Sequence, residues 1–329
     1  MDTAWTIRPY EPELDREKVW KVWVDVSGFD ASMGLPSKAA FDSQAEPDSQ
    51  FLTKDWVVAV TEAGVVVGFL AVAARGSQEA QIWIATNPAW RGRGIGSKLM
   101  ERTPVGLKLL AESRASASSS SALMAKHQFQ EQDRETVMRA SLLDVSAKAA
   151  KDNVTVTEDI ELNPDQFLRE LEKINPKERT HFISHDLRRA KSRLFYFMVE
   201  GAVQGLVFVA AADHMRVAER NAEKGPRVGA IHSIGLRKSA RGKGLSRLLV
   251  RQGLIALAES GFEEAEVHVA KGREKAEVLY GKEGFKSHDQ RLTWVRRDDE
   301  VTGNLQVPQY TASEDAASRR LDSYEIEGK

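Results

Sequence analysis

Arg241-Gly242-Lys243-Gly244-Leu245-Ser246 is the stretch on which the reading of this chain turns. The residues before it, Val228–Leu236, form a strand pattern. Those after it place Leu248, Leu249, Leu254, Ile255 and Leu257 at helical spacing over Arg247–Ser260, and Gly261 is a stop signal. Glycines between a strand and a helix let the backbone turn tightly and approach a ligand. The helix that follows aims its free N–H groups and positive dipole end at the same point, which suits a pyrophosphate. The flanking Arg and Lys add charge-assisted hydrogen bonds. A nucleoside-triphosphate loop fits badly, because no Gly-Lys-Ser/Thr ending is present. The dinucleotide fingerprint fits poorly, because a hairpin rather than a βαβ unit leads into the turn.

The same form, Arg-x-x-Gly-x-small, stands earlier in the chain as Arg91-Gly92-Arg93-Gly94-Ile95-Gly96. Working outward from both copies exposes an internal repeat. Trp56–Thr61 and Val65–Ala74 form a hairpin around Glu62-Ala63-Gly64, Gln81–Thr86 is a strand, and a helix follows from Ser97. In the second half Leu194–Glu200 and Val203–Ala212 form the hairpin around Gly201. Beyond the second turn come a strand, Ala265–Ala270, and a helix, Lys275–Lys282, ending at Gly284. Each half opens with a strand, Thr6–Arg8 or Val154–Val156, and a helix, Asp15–Trp23 or Pro164–Lys173. A polar link at Ala147–Asn153 separates domains at 1–148 and 152–298, and 299–329 is a polar tail. Gly34–Gln50 and Asp213–Arg227 read as loops.

The 329 residues suit two domains at roughly 150 residues each. With 42% hydrophobic residues there is enough apolar material for two cores. Lys plus Arg total 47 against 48 Asp plus Glu, a net charge of -1, which argues against a nucleic-acid footprint. No cysteine is present, which excludes disulfides, zinc-thiolate sites and cysteine nucleophiles. Met1–Trp5 lacks a leader's basic start, and no apolar run approaches the about 20 residues of a membrane helix. The expectation is a cytoplasmic protein with no membrane or nucleic-acid partner.

The two turns, together with Glu277-Val278-Leu279-Tyr280-Gly281-Lys282-Glu283-Gly284-Phe285, resemble the GNAT superfamily of acyl-CoA-dependent N-acyltransferases. The last segment is similar to that family's Ala-Leu-Tyr-x-x-x-Gly-Phe. The resemblance runs from about Trp5 to Val295 and implies a tandem GNAT protein of mixed α/β class. It implies a mixed, mainly antiparallel, twisted sheet flanked by helices in each half, splayed between its fourth and fifth strands. Acetyl-CoA is the implied donor, with no metal, and a primary amine the implied acceptor. Two such halves can pair as two subunits would, so a pseudo-dimeric monomer is expected.

The halves differ. Tyr280 stands where the resemblance implies a general acid for the leaving thiolate. The first half has Ala122-Leu123-Met124-Ala125-Lys126-His127-Gln128-Phe129 there, so Met124 replaces the tyrosine and Gln128 the helix-ending glycine. Pro104 cuts the first-half helix short, and Val105–Ser113 is a weak strand. The chemistry is therefore expected in the second half. Arg241, Gly242, Lys243, Gly244, Leu245 and Ser246 would hold the pyrophosphate. Ile234 and Leu236 would lend backbone groups to pantetheine and the thioester oxygen. Arg91, Gly92, Arg93, Gly94, Ile95 and Gly96 are the first-half counterpart.

The base is less clear. Relatives carry a glutamate that falls at Ala230 here. His232, two residues on, shares that strand face and titrates near neutral pH, so it leads. Glu266 and His268 on the next strand are alternatives, with solvent exposure as their bland reading. The first half carries Ala80 and Ile82 at these places. His181–Asp186 and the basic run to Arg193 read as an acceptor-side loop or a solvated face. Trp20 and Trp23 read as packing residues. The rival function is a non-catalytic acyl-CoA-binding or sensing protein.

Overall fold

The computed structural model describes residues 4–29, 38, 41–42, 45, 53–75, 77–143, 145, 154–174, 191–212 and 227–297. The polar link, the His181–Asp186 group, most of both polar loops and the tail lie outside the described residues.

The first half runs β1 (Trp5–Pro9), α1 (Pro12–Phe29), β2 (Val57–Thr61), β3 (Val66–Ala74), β4 (Glu79–Thr86), α2 (Ile95–Met100), β5 (Lys108–Arg114), α3 (Ser118–Lys126) and β6 (Gln130–Ser141). The second runs β7 (Thr155–Asp159), α4 (Pro164–Ile174), β8 (Arg193–Val199), β9 (Ala202–Ala211), β10 (Val228–Leu236), α5 (Leu245–Glu259), β11 (Glu264–Ala270), α6 (Glu274–Lys282) and β12 (Lys286–Arg297). The order matches the repeat read from sequence. Lys38, Phe41 and Asp42 are helical, so Gly34–Gln50 is not wholly loop. Phe41 is fully buried between Trp20 and Trp23, which supplies the reason: a core side chain anchors that segment.

All twelve strands join one sheet, in the order β1-β2-β3-β4-β5-β12-β6-β11-β10-β9-β8-β7. The final strand of each half crosses over. β12 pairs with β5, and β6 pairs with β11. Their apolar residues follow them: Leu292 and Trp294 enter the first-half core, and Met138, Ala140 and Leu142 enter the second. β6 and β12 meet antiparallel at the centre, with Glu135 opposite Arg291. Each is the sixth residue of its strand, so an approximate two-fold axis passes between them.

Strand alternation sends neighbouring residues to opposite faces. Phe69 meets Trp23 of α1, whereas the position just before it, Gly68, backs onto Ile95 and Leu99 of α2. In the second half Phe208 meets Phe167 of α4, and Gly205 backs onto Leu249 of α5. Helices α1 and α4 thus share one face and α2 and α5 the other.

The parallel pairs β4–β5 and β10–β11 are short. β4 pairs with β5 only over Glu79–Gln81, and β10 with β11 only over Val228–Ile231. Beyond those points the strands part, leaving a wedge-shaped gap in each half.

Candidate active site

Each gap opens above its glycine turn. Gly94 and Gly244 cap α2 and α5 in the left-handed conformation, at φ 81° and 75°, which costs a side-chain-bearing residue about 1 kcal/mol or more. The leading arginines brace the turns. Arg91 Nε donates to Thr86 O at 3.4 Å and Arg241 Nε to Leu236 O at 3.3 Å. This ties each turn to the end of its fourth strand. In the first half Arg93 lies over the Trp90 ring at 4.6 Å.

The first-half gap is a cleft of about 310 Å³. Ile84 and Thr86 of β4, the turn Arg91–Gly96, Ala111 and Glu112 of β5, and Leu123 and Met124 of α3 line it. A basic turn at one end and an apolar throat suit a phosphate joined to a pantetheine-like arm. The ladder between β3 and β4 is unbroken from Gly68↔Thr86 to Ala74↔Ala80.

The second-half strand differs. β10 carries a bulge against β9 between Ile231 and Ser233, centred on His232. A bulge adds an unpaired residue and re-aims its side chain. His232 Nε2 lies 3.0 Å from Ala211 O, where it acts as donor, and the ring lies 5.9 Å from Phe208 on the α4 face. Ser233 beside it is buried, and its Oγ has no hydrogen-bond partner. Ile234 and Leu236 follow, on a stretch of β10 past the end of the β11 ladder. Leu245 is buried as the first residue of α5, whereas Gly242, Lys243 and Gly244 are exposed and Ser246 is half-buried.

Tyr280 comes from α6 on the other face. It is 6% exposed, edge-on to Phe285 at 5.5 Å, within the core that α5 covers. Met124 is equally buried at the matching place in α3. Tyr280 is thus buried on the α5 face of the sheet, and the His232 ring lies on the α4 face, over β9.

Of Glu266 and His268, the alternative bases that could also simply face solvent, the first is buried and the second half-buried. Glu266 is 2% exposed and accepts from Arg139 Nε at 2.9 Å and Arg114 Nη2 at 3.3 Å. His268 Nε2 lies 2.9 Å from its Oε1. The cause is the crossover of the last strands: β6 covers the edge of β11 that the second half alone would leave open. Glu266 pairs in register with Ala230, so a carboxylate occupies the ladder position beside the alanine where relatives carry theirs. Arg114, Glu135, Arg139 and Arg291 gave no local signal, because their partners lie over a hundred residues away in sequence.

Burial would raise the Glu135 carboxyl, yet the His268 ring and the Arg291 guanidinium more than offset this and hold it at about 2. Among the described residues no cluster of three or more potential metal ligands is present, and no helix is long and apolar enough to cross a membrane.

Comparison with known proteins agrees with this geometry. The GNAT acetyltransferase domain model matches residues 53–131, and the GNAT acetyltransferase family model matches 160–285. A mycothiol acetyltransferase of Nocardioides sp. is 28% identical over 233 residues, 64% of this chain and 78% of that one. A tandem GNAT protein from the clavulanic acid biosynthesis pathway superposes with a TM-score of 0.68 at 15% identity, over 89% of this chain and 98% of that one. A GCN5-related N-acetyltransferase from Sphaerobacter thermophilus gives 0.63 at 19% identity, over 89% and 95%. The turns, the two splayed gaps and a family match in each half lead to one assignment: the chain belongs to the GNAT N-acetyltransferase family and carries two of its domains in tandem.

Proposed function

We propose that the chain moves the acetyl group of acetyl-CoA to a primary amine, and that the bond is made in the second half. The observation that carries this is the bulge that sets His232 on the α4 face of the second half, together with Tyr280 buried on its α5 face. The first half has an unbroken ladder and Met124 at the same places.

In this reading the turn Arg241–Ser246 receives the pyrophosphate, and the unpaired edge of β10 near Ile234 and Leu236 receives pantetheine and the thioester oxygen. A backbone N–H aimed at a developing oxyanion is an efficient stabiliser. The acceptor loses one proton to His232, whose tautomer the Ala211 carbonyl fixes by accepting from Nε2. Its nitrogen attacks the thioester carbon, the C–N bond forms and the C–S bond breaks. The departing thiolate takes the Tyr280 proton, and the phenolate is restored by the second proton that the new amide nitrogen sheds.

The first-half cleft, with its basic turn and apolar throat, is proposed to hold a second acyl-CoA without turning it over. A purely sensing role for the whole chain is the weaker reading, because a sensor has no use for a tyrosine in the second half where the first half carries Met124.

The test is the full chain with acetyl-CoA and a panel of glucosamine, spermidine, lysine amide and a short peptide, with products read by mass. An acetylated amine is expected, and a chain that acetylates none of them overturns the reading. Calorimetry with acetyl-CoA then assigns the sites. Gly244→Trp is expected to abolish turnover and one binding event, and Gly94→Trp to remove a different binding event while turnover persists. Turnover lost only in Gly94→Trp would move the chemistry to the first half.

A further inference from the structure

The central strands bring together charged side chains that the chemistry above does not use. On the face that carries α1 and α4, Arg291 donates to Glu135 Oε2 from Nε at 2.8 Å and Nη2 at 2.5 Å. His268 Nδ1 lies 3.6 Å from the same oxygen. Every contact of this carboxylate among the described residues falls on Oε2. Oε1 accepts nothing there and is not sealed from solvent.

The position of this open oxygen matters. The β10–β11 ladder ends at Ile231↔Val267, so His268 is the first β11 residue of the second-half gap. It lies on the face of Glu266, the face to which the bulge turns His232. Glu135 stands next to it, although it belongs to the first half. Around them on this face stand Arg139 and Glu266, Arg291, and Arg114 and Glu112.

Stability alone is a weak reason for such a cluster, because apolar side chains of similar volume would escape the desolvation cost. The cluster is also incompletely paired: Arg114 keeps a buried Nη1 with no acceptor among the described residues. The Glu135 carboxyl at about 2 remains anionic wherever an amine is an ammonium. An anionic oxygen with no donor among the described residues, beside the first β11 residue past the β10–β11 ladder, is a seat for a cation.

We propose that Glu135, carried on the last strand of the first half, receives the ammonium of the acceptor for the second-half site. The acceptor is then a cationic primary amine, and its binding needs both halves of the chain. This rests on the acetyl-transfer reading above and adds the acceptor's charge and its point of attachment.

The experiment uses full-length protein, acetyl-CoA and the panel amine that wild type acetylates fastest. Glu135→Gln is expected to raise KM for the amine about tenfold or more. Its kcat and its calorimetric affinity for acetyl-CoA stay near wild type, and Glu135→Asp recovers most of the loss. Arg291→Gln keeps the carboxylate and is expected to raise KM less. An unchanged KM in Glu135→Gln overturns the assignment. So does Arg291→Gln raising KM as much, since that would make the intact network rather than the carboxylate responsible. A wild-type chain that acetylates no amine removes the acetyl-transfer reading and this assignment with it, an outcome distinct from either variant result.

Discussion

Tyr280 and Met124 occupy matching places in α6 and α3, each buried five residues before the phenylalanine that precedes the next strand. One can give a proton to a thiolate and the other cannot. Tyr280→Phe is therefore expected to lower kcat about 100-fold with little change in acetyl-CoA affinity, as read by steady-state kinetics beside calorimetry. An unaltered kcat would take the acid role from Tyr280. Glu135 yields a second expectation at this scale. Its carboxyl is held below its ordinary value, so its contribution to stability is present above about pH 4.5 and is lost as the pH falls towards about 2. That contribution is on the order of 3 kcal/mol at neutral pH. The stability gap between wild type and Glu135→Gln in urea titrations is expected to be widest near pH 7 and to close progressively below pH 4. A gap independent of pH would show that the ion pair does not set it.

Helices α3 and α6 end in the same left-handed turn, but with different residues. Gly284 adopts φ 93° without strain, whereas Gln128 holds φ 64°. Gln128→Gly is expected to stabilise the protein by about 1 kcal/mol in chemical denaturation; a loss of stability would mean that the side chain has a role there. The contrast also shows how much was legible beforehand. The Gly284 stop, the glycine turns and the Pro104 break are local signals, and the elements they bound lie within a few residues of their expected ends. Helix α2 does stop at Met100, with Thr103 Oγ1 closing on Met100 O at 2.8 Å. The bulge at His232 left no mark in the sequence, because it is a mismatch between two strands rather than a property of either. Whether Glu266 was an alternative base or simply faced solvent stayed open in the sequence for the same reason: a strand alternating apolar and polar residues does not reveal that Arg114 and Arg139 will cover its polar side.

At the scale of the whole molecule, the crossed strands make the halves interdependent. Trp294, near the end of the described chain, packs in the first-half core and donates from Nε1 to Ser113 Oγ at 2.8 Å. Trp294→Ala is expected to cost about 3–5 kcal/mol, and hydrogen exchange should register the loss first in β5 and the first-half core. Loss confined to the second half would contradict the crossover. The axis between Glu135 and Arg291 carries a further consequence. In an assembly of two identical chains, a residue on the symmetry axis faces its own copy. Here equivalent residues of opposite sign face each other, an arrangement that two identical subunits cannot supply. A first half released from its partner could self-associate only by setting glutamate against glutamate, and a second half only by setting arginine against arginine. The mismatch is a polarity key: severed at the link and produced together, the two fragments are expected to copurify as a one-to-one pair, and either fragment self-associating as strongly would contradict it.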